Sequence, residues 1–211
     1  MAAGLAGAMS AGAVTLTFSG VNPNEIVTLQ VSSPSFSGGV YAGVYNLTVD
    51  GGATPSFCID VSRQIYAGQT FNNYSYTDLS LAPLAPAGPM GLAAATDIEK
   101  LWAAYYSPSM NNQDAAALQV AIWEDVAAKV GTYSITVSGN DPVTTEATTM
   151  LGSLGSLTIQ ADLQGLVSPD GQNYVVPFDV ASVPEPMSAG VLLLGFGVLV
   201  CSRCWRQGRR V

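Results

Sequence analysis

Leu118-Gln119-Val120-Ala121-Ile122-Trp123 is the stretch on which the fold turns. Its apolar residues recur at helical spacing and predict a helix from about Asp114 to Lys129, with Asp114 as its cap and Gly131 ending it. On that helix Gln119, Ile122, Trp123, Val126 and Val130 fall on one face, so a carboxamide sits in an otherwise apolar stripe. A buried amide without partners costs roughly 1–3 kcal/mol. Gln119 is therefore either fully hydrogen-bonded or committed to chemistry.

On the N-terminal side of this helix, Thr96-Asp97-Ile98-Glu99 has the form of a capping box that opens a first helix through Leu101, Trp102 and Tyr105, and Ser107 to Gln113 breaks that helix. Further upstream the pattern is β. Val14 to Phe18, Ile26 to Val31 and Tyr41 to Val49 are rich in Val, Ile, Thr and Tyr, with Gly, Pro, Asn and Ser clusters between them. Asp50-Gly51-Gly52 predicts a tight reversal into a strand from Ser56 to Val61, and Gln69 to Tyr76 adds another. On the Ser56–Val61 strand, Phe57, Ile59 and Val61 share one face, while Ser56, Cys58 and Asp60 share the other. Leu79 to Gly91 is a Pro/Ala/Leu-rich connector. Beyond the Gln119 helix, strands are expected at Tyr133 to Val137, Leu157 to Leu163 and Tyr174 to Val180, with a short helix from Asp141 to about Leu151 and a turn at Asp170-Gly171. The fold class is mainly β with a helical insertion (α+β): a β-sandwich or barrel carrying two central helices, plus a single C-terminal transmembrane helix. Residues 1–13 form a leader remnant, 14–181 the body and 182–211 a sorting region.

Composition narrows the function. Charged residues make up 10% of the chain, and small polar residues abound, as suits an exported domain. The net charge of −8 is asymmetric: Arg203, Arg206, Arg209 and Arg210 all follow the last acid, Glu185, leaving three bases against fifteen acids up to and including it. Nucleic acid is thus excluded as a partner of the body. The sequence contains no histidine, which rules out Ser-His-Asp and Cys-His catalysis. The chain is read as a non-enzyme with no cofactor and no metal. The turns near Asn140-Asp141 and Asp170 carry too few carboxylates for calcium, and Asn46-Leu47-Thr48 and Asn73-Tyr74-Ser75 are chance sequons. Of three cysteines, Cys201 and Cys204 lie in the basic tail, so Cys58 has no intramolecular disulfide partner. The tail pair is a weak metal or redox motif, read as incidental or a lipidation site. The opening Met1 to Ala13, ending Ala11-Gly12-Ala13, reads as a signal peptide whose beginning is missing, or else as a small-residue N-terminus.

The pair formed by Phe57-Cys58-Ile59 and Leu118-Gln119-x-Ala121-Ile122-Trp123 resembles the thioester domains of bacterial surface adhesins. The resemblance implies a covalent bond between the side chains of Cys58 and Gln119, formed with loss of ammonia, in an environment that includes Phe57, Asp60 and Trp123. Such a bond is an acyl donor for an amine or hydroxyl on a partner, such as a surface-protein amine or an exopolysaccharide. Read from the residues alone, Cys58 is a buried free thiol, Gln119 a satisfied core amide and Trp123 plain packing.

At the other end, Val183-Pro184-Glu185-Pro186, an apolar run from Met187 to Cys201 and the four arginines stand in the order of a PEP-CTERM sorting signal, which this region resembles. The resemblance implies an exported protein of a Gram-negative bacterium, processed by an exosortase-type enzyme. The fifteen-residue run spans about 22 Å as a helix, short of a ~30 Å hydrocarbon core unless Ser202, Cys204 and Trp205 extend it. The arginines place the C-terminus inside and the body outside, giving an inner-membrane precursor and then a cell-surface or matrix protein. A plain C-terminal anchor explains the helix and arginines but not the Pro-Glu-Pro. The two function classes carried forward are a covalent surface binder and a structural surface or matrix protein in which Cys58 and Gln119 serve stability alone.

Overall fold

The structure, a computed structural model, describes residues 12–84 and 88–178. The leader remnant (apart from residues 12 and 13) and the whole sorting region, with Val183 to Pro186, the apolar run and the arginines, lie outside those residues.

Two long strands, β1 (Val14–Ser32) and β2 (Ser35–Val49), pair antiparallel along their whole length. Two separate strands are expected in the β1 region, but the Gly20 to Asn24 segment stays in the ladder. Its turn-forming residues produce bulges between Phe18 and Gly20 and between Val21 and Asn24 rather than a break. Asn24 and Asn46 secure them, donating to the carbonyls of Val21 (2.5 Å) and Asn22 (2.8 Å). Opposite Asn24 stands Gly43 at φ +154°, where a Cβ would collide with the Pro23 carbonyl, so only glycine closes this bulge.

The expected reversal at Asp50 (φ 48°) and Gly51 (φ 87°) leads into β3 (Gly52–Cys58). This strand stops at Cys58 instead of running to Val61, because the Asp60 carboxylate accepts from the Ser62 N–H (2.9 Å) and O–H (2.6 Å) and turns the chain. Then come β4 (Thr70–Asp78), a small hairpin of β5 (Pro83–Leu84) and β6 (Gly88–Pro89), α1 (Gly91–Tyr105), α2 (Asn112–Val130), β7 (Ile135–Ser138), α3 (Asp141–Ser153), β8 (Leu163–Val167) and β9 (Tyr174–Pro177). The α-helices among the described residues number three: the two central ones and, as expected, the one that starts at Asp141. The expected capping box is absent: Thr96 lies inside α1, which Gly91 (φ 83°) opens and the alanines at 93–95 carry forward. Asn111, not Asp114, caps α2, accepting from the Asp114 N–H at 2.9 Å, and Asp114 occupies the first turn. Gly131 ends α2 in the left-handed conformation, as expected. Residues 157–161, expected as strand, follow a 3₁₀ turn and join no sheet, Ala161 donating instead to the Glu99 carbonyl of α1.

Strand order is β2-β3-β9-β8-β4-β1, and β1 pairs back onto β2, so six antiparallel strands close a ring. The barrel alternative holds. Aromatic side chains meet across its interior: Tyr45 of β2 with Tyr174 of β9 (5.6 Å), and Tyr174 with Tyr74 of β4 (6.3 Å), strands that are not neighbours. The outer halves of β1 and β2 run past the barrel end as a ribbon, to which β7 adds along Thr28 to Val31. Helix α2 packs on β1 and β2, with α1 and α3 against its sides. Consequently it is buried nearly all round, Leu118, Val120 and Ala121 as fully as Gln119, rather than along a single stripe. Among the described residues no helix is long and apolar enough to cross a membrane.

Candidate functional site: Cys58 and Gln119

Cys58 is the last residue of β3 and is paired with Tyr174 of β9. The next N–H, that of Ile59, donates to Asn173 O on the β9 side (3.0 Å). Because main-chain groups alternate along a strand, the N–H and C=O of Cys58 face the other way, towards β2. There β2 no longer pairs with β3: that ladder ends at Tyr45 and Ser56, and Gly43 of β2 stands opposite the bulged Val21–Asn24 segment of β1. Gln119 takes the vacated place. Its Oε1 accepts from the Cys58 N–H and its Nε2 donates to the Cys58 carbonyl, both at 2.8 Å, reproducing two bonds of a β-ladder with a side chain. The small side chains of Ala115, Ala116, Ala117 and Ala121, all fully buried, let α2 come close enough to deliver the amide.

The thiol has its own partners. It donates to the Asp60 main-chain carbonyl (3.2 Å) and accepts from Gln172 Nε2 (2.8 Å). Burial pushes the Cys58 thiol up to about 12, and the Asp60 charge adds to this; the Trp123 indole and the bonds from Asp60 and Gln172 only partly offset it. At neutral pH the free side chain is a protonated thiol. Trp123 Nε1 lies near enough to favour the anionic form, yet it meets no acceptor in hydrogen-bond geometry among the described residues. Asp60, expected to orient groups beside the cysteine, touches the thiol through its main chain alone. Its carboxylate serves the Ser62 turn and accepts from Asn173 Nδ2 (3.3 Å), and burial raises its pKa. Phe57 points to the opposite face of β3, edge-on to Trp102 (5.3 Å) and Tyr106 (6.2 Å). The structure therefore brings Cys58, Gln119, Trp123 and the Asp60 main chain together, and places the Phe57 ring elsewhere.

Sequence reading missed Gln172 and Asn173. Gln172 Nε2 bonds both the thiol and Asp60 O (3.2 Å), while its Oε1 accepts from the Tyr174 hydroxyl (3.3 Å) and its carbonyl from the Tyr74 hydroxyl (2.7 Å). Gly171 is required just before it, since a Cβ there would strike the Tyr74 hydroxyl. The available signal was two carboxamides set between a turn and the apolar run Tyr174 to Val176. Among the described residues no cluster of His, Cys, Asp or Glu could hold a metal ion, and the Asp170 carboxylate accepts from Asn73 Nδ2 at 2.5 Å.

No family model matches the chain, and no curated protein matches it. Among solved structures, the N-terminal thioester domain of a surface protein from Clostridium perfringens is similar, with 9% identity and a TM-score of 0.40, covering 73% of this chain and 99% of that one. The pairing of Cys58 with Gln119 rests on the geometry of this chain alone.

Proposed function

We propose that this is an exported bacterial surface protein whose body carries an internal thioester between Cys58 and Gln119 and uses it to attach covalently to a nucleophile on a partner. The observation that carries this reading is the two-bond seat of the Gln119 carboxamide on the Cys58 main chain. It brings an amide carbonyl to the residue that bears the thiol, with a main-chain N–H already on the oxygen that gains negative charge when sulfur adds. In the closing step the sulfur bonds to the Gln119 carbonyl carbon, the C–N bond breaks, and ammonia leaves with the thiol proton. A thiol that burial holds up at about 12 is a poor nucleophile, so closure relies on the pre-positioned amide. Export and sorting through Val183 to Pro186, the apolar run and the arginines belong to the same proposal, with an exosortase-type enzyme as processing partner.

Intact mass decides it. Freshly folded full chain, denatured without amines, is expected to be one ammonia lighter than its sequence, and Cys58→Ala to restore the full mass. A wild-type chain of full mass overturns the covalent reading. Native thiol titration does not decide it, because Cys58 is 0% exposed.

A second reading has its own observation: both polar atoms of the Gln119 amide are satisfied by the main chain, as in a purely structural strand mimic. Full mass would leave this reading, a structural surface or matrix protein, in place.

A further inference from the structure

Beside the site lies a cleft of about 750 Å³, lined by the protruding ribbon of β1 and β2 on one side and the 61–67 loop on the other, with Trp123 and Gln172 among its lining residues. Gln172 touches the Cys58 sulfur, and Trp123 stands one helical turn from Gln119, so the cleft ends one side chain away from both. Its ribbon side includes Ser35, Phe36, Gly39, Val40 and Tyr41 of β2. Along this part β2 is hydrogen-bonded to β1 only; β3 pairs no further than Tyr45. Among the described residues no other main-chain group bonds to Ser35–Tyr41, so the second edge of this strand presents unpaired N–H and C=O groups beside the cleft.

Proteins guard such edges with charge, proline or brevity. This one has none of these: Ser35 to Tyr41 contains no charged residue and no proline. Half-buried Phe36, Gly38 and Val40 alternate with exposed Ser35, Ser37, Gly39 and Tyr41, a regular two-residue pleat ready for a neighbour. A row of alternating donors and acceptors at strand spacing matches one kind of occupant, another extended main chain. A sugar or a lipid presents no such row.

We infer that Ser35–Tyr41 of β2 is a docking edge for an extended peptide segment of a partner protein, which adds as a strand and lays its inward side chains along the cleft towards Gln119. The apolar lining, Phe36, Val40, Ile65 and Tyr66, selects apolar side chains on the inward face. The covalent consequence rests on the thioester reading. There, once the Trp123 and Gln172 side chains that part the cleft from the buried Gln119 swing aside, a lysine of the docked segment adds its amine nitrogen to the Gln119 acyl carbon, the C–S bond breaks, and the amine proton passes to the departing Cys58 sulfur. The docking itself needs no bond.

The test uses the full chain carrying Cys58→Ala, and the wild type in parallel. The probe is a synthetic, end-blocked peptide alternating valine and threonine around one lysine, with a control in which prolines replace the threonines and so remove alternate N–H donors. Hydrogen exchange is read by mass spectrometry. The first peptide is expected to slow exchange over Ser35–Tyr41 at least several-fold in the Cys58→Ala chain, and the proline peptide to leave it unchanged. No slowing over that segment, or equal slowing by both peptides, overturns the docking edge. In the wild type the lysine peptide is expected to become bonded to Gln119. Reversible slowing in both chains without an adduct keeps the docking edge and removes the covalent step.

Discussion

At the scale of single residues, Gln119 is the side chain with most depending on it. Its carboxamide satisfies two main-chain groups of Cys58 that β2 no longer reaches, in a site closed to water. In a chain that carries no thioester, such as Cys58→Ala, replacing Gln119 by Ala leaves a buried N–H and C=O unpaired and opens a cavity, at a cost of about 3–5 kcal/mol. Gln119→Glu keeps the size but loses the donor, setting an oxygen against the Cys58 carbonyl; it is expected to destabilise at least as much at neutral pH and less in acid, where the carboxyl protonates. Urea denaturation of the three chains checks both. If the Gln119→Ala chain proved as stable as the one that keeps Gln119, the seat would contribute nothing. Asp60 teaches the complementary lesson, since its nearness to the cysteine was legible but its use of the main chain was not.

At the scale of elements, α1 and α2 meet at a buried polar group. Asp125 is 5% exposed and one of its carboxylate oxygens has no partner among the described residues. Burial, with the neighbouring Asp97 charge, raises its pKa to about 6, against a partial offset from Lys129, which itself pairs with Asp97 at 2.7 Å. A folded-state pKa above the unfolded value means that folding favours the protonated acid. The stabilisation is full below the unfolded value near 3.8 and is lost as pH rises through about 6. Asp125→Asn is therefore expected to stabilise the protein above pH 6 by about 1 kcal/mol, allowing for screening of a group just under the surface, and to flatten the pH dependence between about 4 and 6. Thermal melts of both chains across that range measure it. In the sheet, Gly43→Ala forces a Cβ into the Pro23 carbonyl at a backbone angle that suits glycine. A loss of about 2–4 kcal/mol is expected in the same assay, along with weakened pairing of the ribbon beyond the barrel, read as faster hydrogen exchange over residues 24–43. The bulges explain why β1 looked like two strands: Gly20, Asn22 and Pro23 read locally as a break, and only pairing with β2 across the hairpin keeps them in one strand.

For the whole molecule, three bases stand against fifteen acids ahead of residue 186, and every other base stands in the last nine residues. That separation suits a chain whose acidic body is exported while its basic end stays inside. In a host with a matching exosortase, the mature protein is expected to lack residues 191–211, and Glu185→Ala to hold the precursor in the inner membrane. Mass spectrometry of surface-extracted protein decides between them; an intact arginine tail on that protein would sink the sorting proposal.

What the sequence determined by itself is what short-range chemistry dictates. The Asp50-Gly51 reversal, the α2 helix with its Gly131 stop, the Pro142 start of α3, the strand-rich start and the lack of histidine in the sequence are all local or compositional facts. Cys58 and Gln119 could be singled out because each was chemically out of place in its surroundings. The tertiary structure decided the rest, because it depends on contacts between residues far apart in the chain. Closure of the ring joins β1 to both β2 and β4, burial of α2 all round comes from two helices and a sheet, and Gln172 reaches the thiol across 114 positions. The seat of Gln119 on Cys58 exists because β2 leaves β3 at Tyr45 and Ser56, a divergence that the bulge at Gly43 accompanies and that no local pattern around either residue records.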